Sequence, residues 1–215
     1  MIKNKLIIFD YDGVIADSLC LWVNAFETGG IMNNIPYRLD ENTLNALDYI
    51  SMKEIIKYAG LEEDDRMPSY ISDINNVFKN SLPDVKFFKG IDRVIENLHL
   101  AGNIICINTF SDTDIVREKL EEERLLPFVS DIAGADVKGS KSEKTMIFMK
   151  KFSFSPKDTF MIGDSSGDII EGKKAGVITI AAGYGWQKEN KLLSQKPDYI
   201  CGNVTELEKI FKKIN

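Results

Sequence analysis

Five short apolar runs, Leu6–Phe9, Ile104–Ile107, Phe160–Ile162, Val177–Ala181 and Tyr199–Cys201, alternate with segments whose apolar residues recur at helical spacing. Runs of that kind read as strands buried on both faces, and strands separated by helices favour parallel pairing. Ile91, Val94, Ile95 and Leu98 share one helical face, which Ala101-Gly102 ends, and Leu207, Ile210, Phe211 and Ile214 share another. The pattern predicts an α/β fold, a parallel sheet with helices on both faces.

Leu19 to Lys86 breaks the rhythm. It holds helix-like stretches at Leu21–Glu27, Leu44–Ala59 and Tyr70–Lys79 and no convincing strand. Six basic residues stand against eleven acidic ones, so most of the chain's formal charge of −6 sits there. A crossover between parallel strands needs only about a dozen residues. The stretch therefore reads as an inserted helical cap, residues 18–86, in a core made of residues 1–17 and 87–215. A chain of 215 residues is long enough for both.

No basic stretch relieves the negative charge, which argues against nucleic-acid binding. The opening MIKNKLIIF holds too short an apolar run for a signal peptide or a membrane span, and no later run reaches that length. Cys20, Cys106 and Cys201 are odd in number and far apart, the usage expected of reduced thiols in the cytoplasm. Oligomeric state leaves no mark on the sequence.

In an open parallel sheet, ligands collect beyond the carboxyl ends of the strands. Leu6–Phe9 runs into Asp10 and Asp12, Ile104–Ile107 into Asn108-Thr109-Phe110-Ser111, and Phe160–Ile162 into Gly163-Asp164-Ser165-Ser166-Gly167-Asp168. A lysine-rich turn, Lys138-Gly139-Ser140-Lys141-Ser142, opens a helix between the last two. Like charges so close repel, and burying one unpaired is costly. Asp10, Asp12 and Asp164 together suit a small hard cation such as Mg²⁺, which binds through a few carboxylates and keeps water and phosphate as other ligands. One carboxylate of such a set can attack phosphorus and form an aspartyl phosphate. Another, raised in pKa by its neighbour, can stay protonated as a general acid.

FDYDGVIADS, INTFSD, KGSKSE and MIGDSSGD resemble, in order, the four motifs of the haloacid dehalogenase superfamily. LPDVKFFKGIDRVIENLHLAG and KKAGVITIAAGYG extend the likeness over most of the core. The insert straight after Asp17-Ser18 is similar to that of members with a helical cap, such as phosphoglycolate phosphatase-like enzymes. The resemblance implies a Rossmann-like core and a Mg²⁺-dependent phosphatase acting on a small phosphorylated metabolite. It implies Asp10 as nucleophile and Asp12 as acid/base, with the Asp12 backbone carbonyl on the metal. Thr109 and the amides of Phe110 and Ser111 would hold the phosphoryl oxygens. Asp164 would bind the metal, with Asp168 supporting it directly or through water.

The motif lysine has three candidates. Ser140-x-x-Glu143 has the form of a capping box, which makes Lys141 the first helical residue, beside free backbone N–H groups. Lys144 lies a turn further on and Lys138 precedes the helix. Ser142 stands where relatives often have proline. Phe110 stands where they have a small or amide residue, and would narrow the pocket.

Gly163-Asp164-Ser165-Ser166-Gly167 also matches the nucleophile elbow of serine hydrolases, but the only histidine, His99, precedes it, so no serine triad is available. Gly134 to Ser142 misses the phosphate-loop pattern by one inserted residue. Asp17 reads as a helix cap, Asp112 and Asp114 as first-turn helix acids, and Glu62 to Asp65 as a solvated turn. Tyr184 and Trp186 either line the pocket mouth or pack on the core. Asp12 weighs against a dehalogenase and a phosphonate hydrolase. Trp22 weighs against a β-phosphoglucomutase-like enzyme, whose relatives carry histidine five residues after the position of Asp17. A phospho-acceptor or regulatory protein is the non-catalytic alternative. Arg38, Lys53 and Lys57 are the cap cations to test as anion contacts.

Overall fold

Packing on both faces of one sheet organises the chain, and the computed structural model describes residues 1–214. In chain order the elements are β1 (Leu6–Phe9), β2 (Ala16–Asp17), α1 (Leu19–Asn33), α2 (Glu41–Ala46), α3 (Met52–Tyr58), α4 (Met67–Asn80), β3 (Lys86–Phe87), α5 (Ile91–Leu100) and β4 (Ile104–Asn108). They continue with α6 (Thr113–Glu122), β5 (Asp131–Ala133), α7 (Lys141–Phe152), β6 (Thr159–Gly163), α8 (Ser166–Ala175), β7 (Ile178–Ala182), α9 (Glu189–Ser194), β8 (Tyr199–Cys201) and α10 (Val204–Lys213).

Six strands form one sheet in the order β5-β4-β1-β6-β7-β8, every pairing parallel. Alternation along β1 sends Ile7 and Phe9 into a core shared with α5 and α10, and Leu6 and Ile8 into one shared with α7 and α8. The expected helix faces of α5 and α10 bury Ile91, Val94, Ile95 and Leu98, and Leu207 and Phe211. The fold is the α/β one that the strand rhythm demands, with one strand more. The short β5 begins on a charged residue and lacks a strand's apolar run.

Between β2 and β3 the helices α1 to α4 enclose an apolar cluster of their own, including Phe26, Leu39, Leu44, Ile55, Tyr70 and Phe78. Leu44–Ala59 is not one helix: α2 ends at Ala46, Leu47 is extended, and α3 starts from an N-cap at Ser51. Asp17 does not cap α1, whose N-cap is Ser18. It pairs instead with Lys86 in the antiparallel β2–β3 ribbon, which ties the two ends of the insert together. Among the described residues, no helix is long and apolar enough to cross a membrane.

Candidate active site

β1 is buried along its whole length and paired on both sides, so Asp10 emerges at the centre of the sheet's carboxyl edge. Its backbone N–H continues the ladder to Ile162 O at 2.8 Å. Two helix starts deliver the other charges. The Ser140–Glu143 capping box opens α7 at Lys141, and Asn108 holds that first turn by donating to Lys141 O at 2.8 Å. A second capping box, Ser165 with Asp168, opens α8, and it aims the Asp168 carboxylate back at the sheet edge.

Lys141 is buried, and its Nζ bridges Asp10 Oδ2 at 2.7 Å and Asp168 Oδ1 at 2.6 Å. The other Asp168 oxygen accepts from Ser165 N and Oγ at 3.1 and 2.6 Å. Asp164 Oδ2 accepts from the Trp186 backbone N–H at 2.7 Å. Backbone packs tightly around these carboxylates. Gly13 has φ +75°, and a Cβ there would lie 1.8 Å from Asp164 Oδ2. A Cβ on Gly163 would lie 2.1 Å from that of Asp168. Only glycine fits either place.

Of the other two lysines, Lys138 is exposed, and Lys144 sends its Nζ to Gly134 O at 2.6 Å. Asp12 lines the same cavity as Asp10 and Asp164 but has partners of its own. Its carboxylate accepts from the Ser18 and Ser111 hydroxyls and from Trp22 Nε1 at 3.3 Å. The position that would hold a mutase histidine therefore supplies an indole, stacked on Phe78 at 3.8 Å between ring centres. Thr109 is buried beside Asn108, but its Oγ1 accepts the Ser111 N–H at 3.0 Å, an amide expected to face the phosphoryl group. Phe110 lines the cavity above the site, its ring centre 4.9 Å from Lys141 Nζ.

The electrostatics follow from burial. Desolvation raises Asp10, Lys141 opposes it, and Asp168 and Asp12 raise it further, to about 7. Asp164 is raised well above the carboxylate range by burial and then by Asp10 and Asp168. Burial also raises Asp12 against the pull of its three donors. For Lys141, burial pulls the pKa down, but attraction to Asp10 and Asp168 outweighs it and the ammonium is held charged. Three carboxylates thus share one cation. Asp10, Asp164 and Asp168 each present an oxygen within 4.8 Å of the others, a donor set that fits a small hard divalent ion. The Asp12 carboxylate is outside that set.

Sequence reasoning passed over a second layer of contacts. Gln187, fully buried, accepts from Ser166 N at 2.6 Å and donates to Leu44 O and Leu47 O at 2.6 and 2.8 Å, joining α8 to the insert. Glu171 accepts from Ser142 N at 2.9 Å and from Tyr49 Oη at 3.2 Å. Trp186 lines the cavity, while Tyr184 packs on Phe88 and donates to Val14 O.

Several known proteins are similar to this chain over most of its length. A phosphoglycolate phosphatase from Vibrio parahaemolyticus is 22% identical over 228 residues, 94% of each chain. A pyrophosphatase from Oceanobacillus iheyensis is 27% identical over 217 residues, again 94% of each. The likeness to the Vibrio cholerae phosphoglycolate phosphatase, 26% identical, spans about half of each chain, 56% of this one and 54% of that one. Among solved structures, a haloacid dehalogenase-like family hydrolase from Streptococcus pneumoniae superposes with a TM-score of 0.85 at 20% identity, covering 97% of this chain and 98% of that one. The family model for haloacid dehalogenase-like hydrolases matches residues 7–182, from β1 through β7 and across the insert, and the chain belongs to that family.

Proposed function

We propose that the chain is a Mg²⁺-dependent phosphatase that hydrolyses a small phosphate monoester through an aspartyl phosphate on Asp10. The observation that carries this reading is the buried cluster of Asp10, Asp164 and Asp168 around the single ammonium of Lys141. It sits at the strand ends, next to the Thr109–Ser111 turn. The names of the relatives, phosphoglycolate phosphatase and pyrophosphatase, support hydrolysis at phosphorus.

Lys141 holds Oδ2 of Asp10, and the Tyr11 backbone N–H, 2.7 Å from Oδ1, orients the other oxygen, whose remaining lone pair reaches phosphorus. As that oxygen bonds to phosphorus, the ester P–O bond breaks, and protonated Asp12 gives its proton to the departing alcohol oxygen. Ser18, Ser111 and Trp22 fix the Asp12 carboxylate for that transfer. Water then attacks the aspartyl phosphate and loses a proton to Asp12, which frees inorganic phosphate and restores both side chains. Lys141, Thr109 and the amide of Phe110 stabilise the charge on the transferring group. Mg²⁺ held by Asp10, Asp164, the Asp12 carbonyl and Asp168, directly or through water, would neutralise the carboxylates and polarise the phosphoryl group. The physiological substrate is a small phosphorylated metabolite and the setting the cytoplasm. The insert closes over the site and excludes bulk water.

The test is phosphate release from a panel of monoesters, with Mg²⁺ and with EDTA. Turnover that EDTA abolishes is expected; folded, Mg²⁺-loaded protein that releases phosphate from none of them refutes the reading.

A further inference from the structure

Above the carboxylates lies a cavity of ≈ 300 Å³ whose floor is Asp10, Asp12, Asp164 and Lys141 and whose roof belongs to the insert. A volume near the lower end of the range for ligand pockets admits one small leaving group. The roof is apolar: Trp22, Phe26, Leu39, Ile50, Ile55 and Ile71 line it, and its polar groups are the neutral Ser51 and Asn75. None of the insert's cations lines it, and Arg38, Lys53 and Lys57 are exposed elsewhere. Phe110 and Trp186 extend the apolar wall from the core side.

Resting on the phosphatase reading, we infer that the substrate is the phosphate monoester of an uncharged alcohol with an apolar body, rather than one bearing a second anionic group. A carboxylate or second phosphate on the leaving group would be buried against Phe26, Ile55 and Ile71 without a counter-ion, at a large desolvation cost. Lys141 cannot serve it, being committed at the floor to Asp10, Asp168 and the transferring phosphoryl group. The start of α3 cannot either: Ser51 Oγ takes the Glu54 amide at 3.3 Å, and Glu54 adds negative charge in the first turn. The insert's excess of acidic residues opposes anions from further away. An apolar body instead gains from burial, and Ser51 and Asn75 can hydrogen-bond one neutral polar group.

Trp22 and Trp186 are the chain's two tryptophans, and both line the cavity, so intrinsic fluorescence reports its occupancy without turnover. Two matched pairs, used with Mg²⁺, separate this inference from the phosphatase reading. For binding, phenylphosphonate is titrated against 4-carboxyphenylphosphonate. For hydrolysis, phenyl phosphate is compared with 4-carboxyphenyl phosphate, whose leaving group is the more reactive of the two. Binding and kcat/KM should both favour the uncharged member by about tenfold or more. Asn75→Arg, at an exposed edge of the cavity, should narrow that preference by supplying the missing cation. Equal or tighter binding of the carboxylated phosphonate overturns the inference, as does a fluorescence signal that neither compound changes. A binding preference without hydrolysis of either ester defeats the phosphatase reading, and the substrate inference with it, and leaves only the pocket's selectivity against a second anion; hydrolysis without the preference overturns the inference alone.

Discussion

The sheet edge and the insert meet at one cavity but are built on opposite terms. The edge concentrates charge where burial makes it costly: three carboxylates and one ammonium, each held by a strand end or a capped helix start. The insert keeps its charges on the outside and turns apolar side chains inward. It is joined to the core by the β2–β3 ribbon, by Gln187 and by contacts of Tyr49 and Asp48 with α8 and α9. The contrast separates two tasks. Chemistry requires groups fixed in an unfavourable electrostatic state, whereas selection requires a surface that can be reshaped without disturbing them.

Asp10→Asn presses hardest on that contrast. Losing the proposed nucleophile should lower activity by ~10³-fold or more. Stability without Mg²⁺ should hold or rise, because one of three mutually repelling carboxylates becomes neutral while Lys141 keeps Asp168. Thermal unfolding in EDTA checks the second half. A large fall in Tm would show that the edge is built for stability, and the contrast would collapse.

Lys141→Met should cost activity by ~10²-fold or more. It should also destabilise by about 3–5 kcal/mol, since it strands two buried carboxylates. Mg²⁺ should restore part of that stability and little of the activity, a split readable from Tm and kcat in parallel. Gln187→Ala should cost less, about 1–3 kcal/mol, by leaving Leu44 O, Leu47 O and the Ser166 amide unpaired. The loss should be local. Hydrogen exchange should quicken in α2 and at the start of α8, with α5 and α10 unchanged. Uniform acceleration would mean that insert and core unfold as one unit.

The charged edge was legible because each of its parts is local in the chain. Asp10, Thr109 and Asp164 each lie within two residues of the end of an apolar run, and Ser140-x-x-Glu143 announces the helix start that carries Lys141. The spacing alone left Lys138 and Lys144 open, because choosing among them depends on which way the first turn of α7 faces the sheet. β5 was lost because three residues led by an aspartate carry too little pattern. The apparent helix from Leu44 to Ala59 hid a break at Leu47, where two carbonyls turn towards Gln187. Those contacts join residues 143 and 140 positions apart, and the one from Tyr49 to Glu171 joins residues 122 apart. No periodicity encodes such pairs, so the apolar roof was equally invisible.

Glu171 offers the smallest and most diagnostic perturbation. Like Asp10 it is a buried carboxylate beside a lysine, with its side chain only 5% exposed. Burial again pushes its pKa up, but here Lys174, at 2.7 Å, and the Ser142 amide prevail and bring it down to about 2. The sign is therefore the reverse of that at Asp10. A carboxylate depressed by folding stabilises above its unfolded pKa, and loses that contribution as pH falls through the folded value. Glu171→Gln keeps an acceptor for Ser142 and Tyr49 and loses only the ion pair with a lysine that is itself 56% exposed. The cost at neutral pH should be small, ~0.5–1 kcal/mol. Because protonation makes the two side chains alike, the Tm difference between parent and variant should shrink steadily as pH falls from about 5 towards about 2. A difference that persists undiminished at the acid end would mean that Glu171 acts through shape, not charge. The contrast between an edge that confines charge for chemistry and a junction that pairs charge for stability would then have to be redrawn.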